Sequence, residues 1–170
     1  MPDTYTLIAS STVGSGGASS IDFTSIPSTY TDLQLVLSLR SAGTGTPYAR
    51  LRFNGSSTGY SNKRLNGDGS TAGSGSPTDA YIVLGVANTS SQTSNTFSSH
   101  SVYIPNYAGS NNKSTSSDNA SENNATTAYI YLMAGLWSNS AAITSIAITE
   151  ENAANWGQYS TAYLYGVKNA

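Results

Sequence analysis

Apolar and polar residues alternate along this chain in short runs. The clearest is Thr31 to Arg40, where Leu33, Leu35, Leu37 and Leu39 take every second position and Gln34, Ser38 and Arg40 fall between them. A period of two is that of a strand with one buried face; a helix would scatter the leucines around its circumference. At about 3.3 Å per residue the run is roughly 30 Å long, enough to cross a small domain as a central strand. Ahead of it, Ile21, Phe23 and Ile26 lead to Pro27. Proline fixes its own φ and donates no hydrogen bond, so residues 25–30 are expected to form a corner between two strands.

Further runs follow the same rule. Tyr5 to Ala9 is a short strand candidate, and Gly14, Gly16 and Gly17 turn the chain before Ile21 and Phe23, which predicts a loose hairpin. Alternatively, residues 1–20 form a flexible N-terminal arm. Tyr48 to Asn54 alternates strictly, with Leu51 and Phe53 on one face and Arg50 and Arg52 on the other. A solvated strand face is preferred there over an anion clamp. Asn54-Gly55 is the strongest short turn signal, and Tyr60 to Leu65 is the strand after it. Tyr81 to Ala87 is apolar and short and is assigned as a strand rather than a helical turn. Phe97, Val102 and Ile104 belong to a strand that stops at Pro105. Residues 106–127 are a polar, low-complexity stretch and predict a long surface loop.

Ala128 to Trp137 is the second long strand. Ile130, Leu132 and Leu136 lie on one side and Tyr129, Tyr131, Met133 and Trp137 on the other. Such a strand is either covered on both faces or offers its aromatic rings to a partner, where Tyr and Trp are enriched. Tyr129, Tyr131, Met133 and Trp137 are therefore the candidate partner-contact face. Ile143 to Thr149 and Tyr159 to Lys168 supply the last two strands. Eight to ten strands, no helix and regularly spaced turns predict one all-β domain over residues 1–170. Its expected architecture is an antiparallel β-sandwich, jelly-roll-like with two four-stranded sheets and long polar loops.

Composition narrows the function. Charged residues are 9% of the 170 positions, against about 25% in an ordinary globular chain, and Ser, Thr, Asn and Gly make up roughly half. Twelve Tyr and two Trp set the chain apart from a disordered linker. The net charge is −2 and the seven basic residues are dispersed, so neither nucleic acid nor a membrane is expected as a partner. With no Cys there is no disulfide, thiolate metal site or cysteine nucleophile to propose. No cleaved export signal is expected either.

Candidate chemistry is sparse. His100 is the only histidine, in Ser98-Ser-His-Ser101, and alternates with Val102 and Ile104 as a half-buried strand residue would. The carboxylate pairs a glycosidase would need reduce to Asp22 with Asp32, or Glu150 with Glu151, and the second pair more readily starts a turn with Asn152. Asp68 sits in a glycine-rich loop that lacks the ligand spacing of a calcium site. No enzyme activity, metal or cofactor is expected.

The ordered set Ile21-Asp-Phe-Thr-Ser-Ile-Pro27, Tyr30-Thr-Asp-Leu33, Leu51-Arg-Phe-Asn-Gly55, Tyr60-Ser61, Arg64-Leu65-Asn66-Gly67, Trp137 with Ile143 and Ile146, and Leu164-Tyr-Gly-Val167 resembles a recurrent pattern in small virion proteins of tailed bacteriophages. The likeness runs from about residue 5 to 168. It departs before the final strand, where Gly157-Gln-Tyr-Ser160 replaces a Gly-Ser or Gly-Thr pair. The resemblance implies a β-sandwich structural protein of the phage particle. A capsid decoration or cement protein is expected: a homotrimer on the outer capsid surface that binds neighbouring major-capsid subunits and passes through the host cytoplasm during assembly. The alternative is a tail or fibre adhesin using Trp156 or Tyr107 as a glycan platform, and a glycan hydrolase ranks third.

Overall fold

A computed structural model describes residues 4–77, 80–124 and 128–168. Among them are thirteen strands, numbered in chain order, and no helix. One sheet runs, in spatial order, β1 (Tyr5–Thr12), β13 (Thr161–Val167), β3 (Asp32–Ser41), β9 (Ser98–Ile104), β10 (Lys113–Ser121), β11 (Tyr129–Trp137), β5 (Tyr60–Gly67) and β6 (Ala72–Gly75). The two-residue β8 (Asn88–Thr89) lies parallel beside the end of β3. The second sheet runs β2 (Ser20–Phe23), β12 (Ile146–Glu150), β4 (Tyr48–Phe53) and β7 (Ile82–Val86). Every pairing except that of β8 is antiparallel.

The pairings are nested. β5 pairs β6, β4 pairs β7, β3 pairs β9, β2 pairs β12 and β1 pairs β13. A long hairpin rolled so that successive strands alternate between two sheets gives this order, which is the jelly-roll arrangement. The sheets have nine and four strands rather than four each. A three-strand meander, β9-β10-β11, stands where a plain jelly roll has one strand, and β1 and β13 extend the same sheet at its far edge.

The core fills the space between the sheets. Leu33, Leu35, Leu37 and Leu39 of β3 are all buried and meet Leu51 and Phe53 of β4 and Ile146 and Ile148 of β12. Each such side chain contributes about 2 kcal/mol by leaving water. The chain crosses between sheets at the expected corner after β2, where Ser25 takes φ 55° and Ile26 N–H bonds Thr144 O at 3.0 Å. Asn54 and Gly55 form the expected turn with φ of 52° and 67°, but it joins strands of different sheets. Asn54 ties that turn to the approach of β12 by accepting from Thr144 N at 2.8 Å and Ser145 N at 3.0 Å.

Two sequence expectations are corrected. Residues 5–12 form an edge strand rather than a flexible arm or one half of a hairpin, because their backbone pairs with β13 along its full length. The predicted loop at 106–127 contains β10, held on both sides by β9 and β11, and residues 125–127 lie outside the described residues. Its inward side chains, Lys113, Thr115, Ser117, Asn119 and Ser121, are all buried and none is aliphatic. Small polar groups suit this position because β7 approaches closely. A Cβ on Gly85, which has φ 104°, would sit 2.6 Å from Asn119 Oδ1. Asn119 Nδ2 instead bonds Val86 O at 3.2 Å and Ser99 O at 3.1 Å. Buried Lys113 donates to Gly109 O at 2.6 Å and to Asn111 O, closing the turn ahead of the strand.

Candidate functional site: the outward face of β11

β11 places its two sets of side chains in opposite surroundings from those expected. Tyr131, Met133 and Trp137 are buried and Tyr129 is half-buried, so the aromatic side is not an open contact face. Trp137 stacks on Tyr60 with ring centroids 6.2 Å apart and lies 5.6 Å from Phe53, closing one end of the sandwich. Tyr131 meets the edge of Tyr48 at 5.9 Å, and Val83, Val86 and Met133 complete a second small core under β7. Burial, together with the hydrogen bond to Tyr48, raises the Tyr131 phenol. Gly135 belongs to this inward row, where an added Cβ would lie 2.5 Å from Thr115 Oγ1 and 2.7 Å from Ile82.

The outward side carries aliphatic residues in water. Ile130 is 64% exposed, Leu132 54% and Leu136 37%, and Leu65 of β5, in register with Leu132, is 58% exposed. Strand register extends this surface sideways. Asp118, Leu132, Leu65 and Ser74 form one row across β10, β11, β5 and β6, and Ser116, Ala134 and Lys63 form the next. Neighbouring β6 reads Ala-Gly-Ser-Gly, so little side chain rises beside the leucines. A groove of about 500 Å³ lies over Leu65, Leu132 and Ala134 and is bordered by Lys63 and Ser116. A second, of about 400 Å³, continues over Ile130 and is bordered by Asp118. Contiguous exposed aliphatic surface of this kind marks a contact site on a soluble protein.

The chemical candidates are engaged elsewhere. His100 is fully buried between the sheets, with one ring nitrogen 3.0 Å from Ser98 Oγ and the other 3.2 Å from Leu84 O and from Asn119 Nδ2. Burial lowers its pKa to about 4, against a smaller opposing pull from the Leu84 carbonyl. Among the described residues the ring has no carboxylate partner, and it is fully buried, so the Ser98–His100 contact supports structure. Asp22 bonds Ser20 Oγ on β2, whereas Asp32 accepts from Tyr103 Oη at 2.6 Å and Asn106 N at 2.7 Å on the other sheet. That bond to Asp32 pushes Tyr103 up to about 12.

Glu150 is buried and its carboxylate caps the turn after β12, accepting from Ala154 N at 3.1 Å. Glu151 meets Arg50 at 2.8 Å. Arg50 and Arg52 both stack on Tyr81, at 4.7 and 4.0 Å from the ring centre, so the expected solvated face is half-covered by that ring. Asp68 accepts from Ser70 N at 2.9 Å and Thr71 N at 2.7 Å, which lowers its pKa and makes it the cap of its loop. Among the described residues no three His, Asp or Glu side chains converge as a metal site would require. Trp156 and Tyr107, the candidate glycan platforms, are fully buried. Trp156 Nε1 bonds Ile148 O at 3.0 Å and Tyr107 Oη bonds Pro27 O. Neither ring face can meet a sugar.

The site that remains is the aliphatic outward face of β11 and β5. The period of two puts its residues on one side of the strand, while the aromatic side, expected to make the contact, is the buried one. Compared with protein-family models, with curated proteins and with solved structures, the chain matches none.

Proposed function

We propose that this chain is a structural protein of a bacteriophage particle, a decoration or cement protein of the head that binds across neighbouring major-capsid subunits. The observation that carries the reading is the row Ile130, Leu132 and Leu136 with Leu65, aliphatic side chains on the water side of a sheet whose core is already full. Covering such surface releases free energy on contact, and a protein that binds only the assembled lattice stabilises it by mass action. The low charge of the chain suits close lateral packing, and the resemblance to virion proteins supplies the setting. The adhesin reading has lost its ring platform, since Trp156 and Tyr107 are interior.

Immunogold electron microscopy of purified particles, with antibody to this chain, tests the proposal. Gold over the heads is expected, and particles lacking the protein should then lose DNA at lower temperature or milder osmotic shock. Gold at the tail tip would overturn the head assignment in favour of an adhesin, and unlabelled particles would overturn the virion role.

A further inference from the structure

We infer that the contact face takes an extended segment of its protein partner, added antiparallel to the open edge of β6, with an acidic residue two places before a large apolar one. The inference rests on the contact-protein reading above and names what the partner brings to that face.

The open backbone is the first support. β6 ends the nine-stranded sheet, and Asp68 N–H bonds Thr71 O at 3.2 Å to close the turn between β5 and β6. Hydrogen-bonded pairs alternate along an antiparallel ladder, so the next ones inward are Asn66 with Gly73 and Arg64 with Gly75. The N–H and C=O groups of the exposed residues Ala72 and Ser74 therefore point off the sheet, and no strand among the described residues meets them. Extended backbone is what matches such a row of donors and acceptors. The opposite end of the sheet is less open to a new strand, because β1 has a bulge between Leu7 and Ala9 that interrupts the register a neighbour needs.

Side chains supply the second support. Ser74 lies in register with Leu65, which is 58% exposed, and the groove over Leu65 and Leu132 reaches Ser74, Gly75 and Ser76. A strand added about 5 Å beyond β6 has its residue opposite Ser74 about 10 Å from Leu65, Cα to Cα. Only a serine stands between them, so a large apolar side chain leans across and meets the leucine.

Charge fixes the neighbouring position. Lys63 precedes Leu65 by two residues on the same outward side, and its ammonium already reaches toward the edge, where it bonds the exposed Ser76 hydroxyl at 2.7 Å. No carboxylate pairs with it among the described residues. Ser76 follows Ser74 by two, so a carboxylate opposite Ser76 meets Lys63 when the apolar residue lies opposite Ser74. The step is about 7 Å in either strand. In an antiparallel strand the acid comes first, then any residue, then the apolar one.

An acetylated, amidated peptide, Thr-Thr-Glu-Thr-Phe-Thr-Thr, titrated to about 5 mM into the full chain and followed by amide NMR, tests this against a peptide with Lys in place of Glu. A short edge and one ion pair predict a Kd of about 1 mM. The Ala72 and Ser74 amides should shift and exchange more slowly with the Glu peptide, and the Lys peptide should bind about three- to tenfold more weakly. Lys63→Glu should reverse that preference. Ser74→Pro removes the outward N–H while sparing the ladder to β5, and should weaken the Glu peptide more than about tenfold. Should Ser74→Pro disturb the hairpin, Lys63→Glu still decides, since it changes an exposed side chain and leaves the backbone alone. No shift at Ala72 and Ser74 by about 5 mM, or equal affinity for the two peptides, would overturn the inference. So would shifts there that grow with protein concentration and no peptide, which mark a second copy as the occupant. Gold labelling of heads stands in each of those cases, so this failure is separable from failure of the virion reading.

Discussion

On one strand, β11, the inward residues Tyr131, Met133 and Trp137 alternate with the outward residues Ile130, Leu132 and Leu136, and both sets are strongly apolar. The inward set is locked by ring contacts to Tyr48, Tyr60 and Phe53 and by the close approach of Ile82 and Thr115 at Gly135. The outward set has water above it, β10 and β5 on either side, and the side-chain-poor edge strand β6 one strand further on. Hydropathy by residue type does not separate the two. What separates them is the neighbours that other strands bring, and a glycine in a row of large residues marks the face where something comes close.

The interior side of β11 should be the more sensitive of the two. Trp137→Ala should cost about 3–5 kcal/mol, read from the urea midpoint, because the Tyr60 and Phe53 rings cannot collapse into the space. Acid attacks the same interior through His100 of β9, whose folded pKa of about 4 lies below its ordinary 6.5. Between those values the unfolded chain binds a proton that the folded chain does not, so stability is complete above the ordinary value and falls as pH is lowered through the window. The loss levels off below about pH 4 at roughly 3 kcal/mol. His100→Gln should remove that part of the pH dependence in parallel urea titrations. The outside should respond least. Leu132→Ser should move the urea midpoint of dilute monomer by no more than about 0.5 kcal/mol.

How much of this was legible from residues alone depended on where the buried side of each strand found its bulk. β3 was readable because four leucines at alternate positions announce a core face, and the observed strand differs from the expected one by a residue at each end. Leu51 and Phe53 located β4 in the same way. β10 could not be found by that rule, since its buried side is Lys113, Thr115, Ser117, Asn119 and Ser121. Its one usable signal was the absence of Gly and Pro from 110 to 127, in a chain whose other polar stretches are rich in glycine. For β11 the alternation was visible and the direction was not. Aromatic residues are favoured both in cores and at interfaces, so their type alone left the inward face undecided.

The nested pairing has a kinetic consequence. The last strand, β13, inserts between β1 and β3, and Tyr5 pairs with Val167. Until residues 161–167 leave the ribosome, β3 has an open edge on the side that β13 will fill, and its leucine row is incompletely covered. Sheet closure therefore waits for residues 161–167. Folding dominated by such distant pairings belongs to the slow range of milliseconds to seconds. A nascent or truncated chain ending before Thr161 presents a ten-residue, leucine-rich strand to other copies. The interval before β13 docks is when chaperone capture and misassembly compete with the native fold.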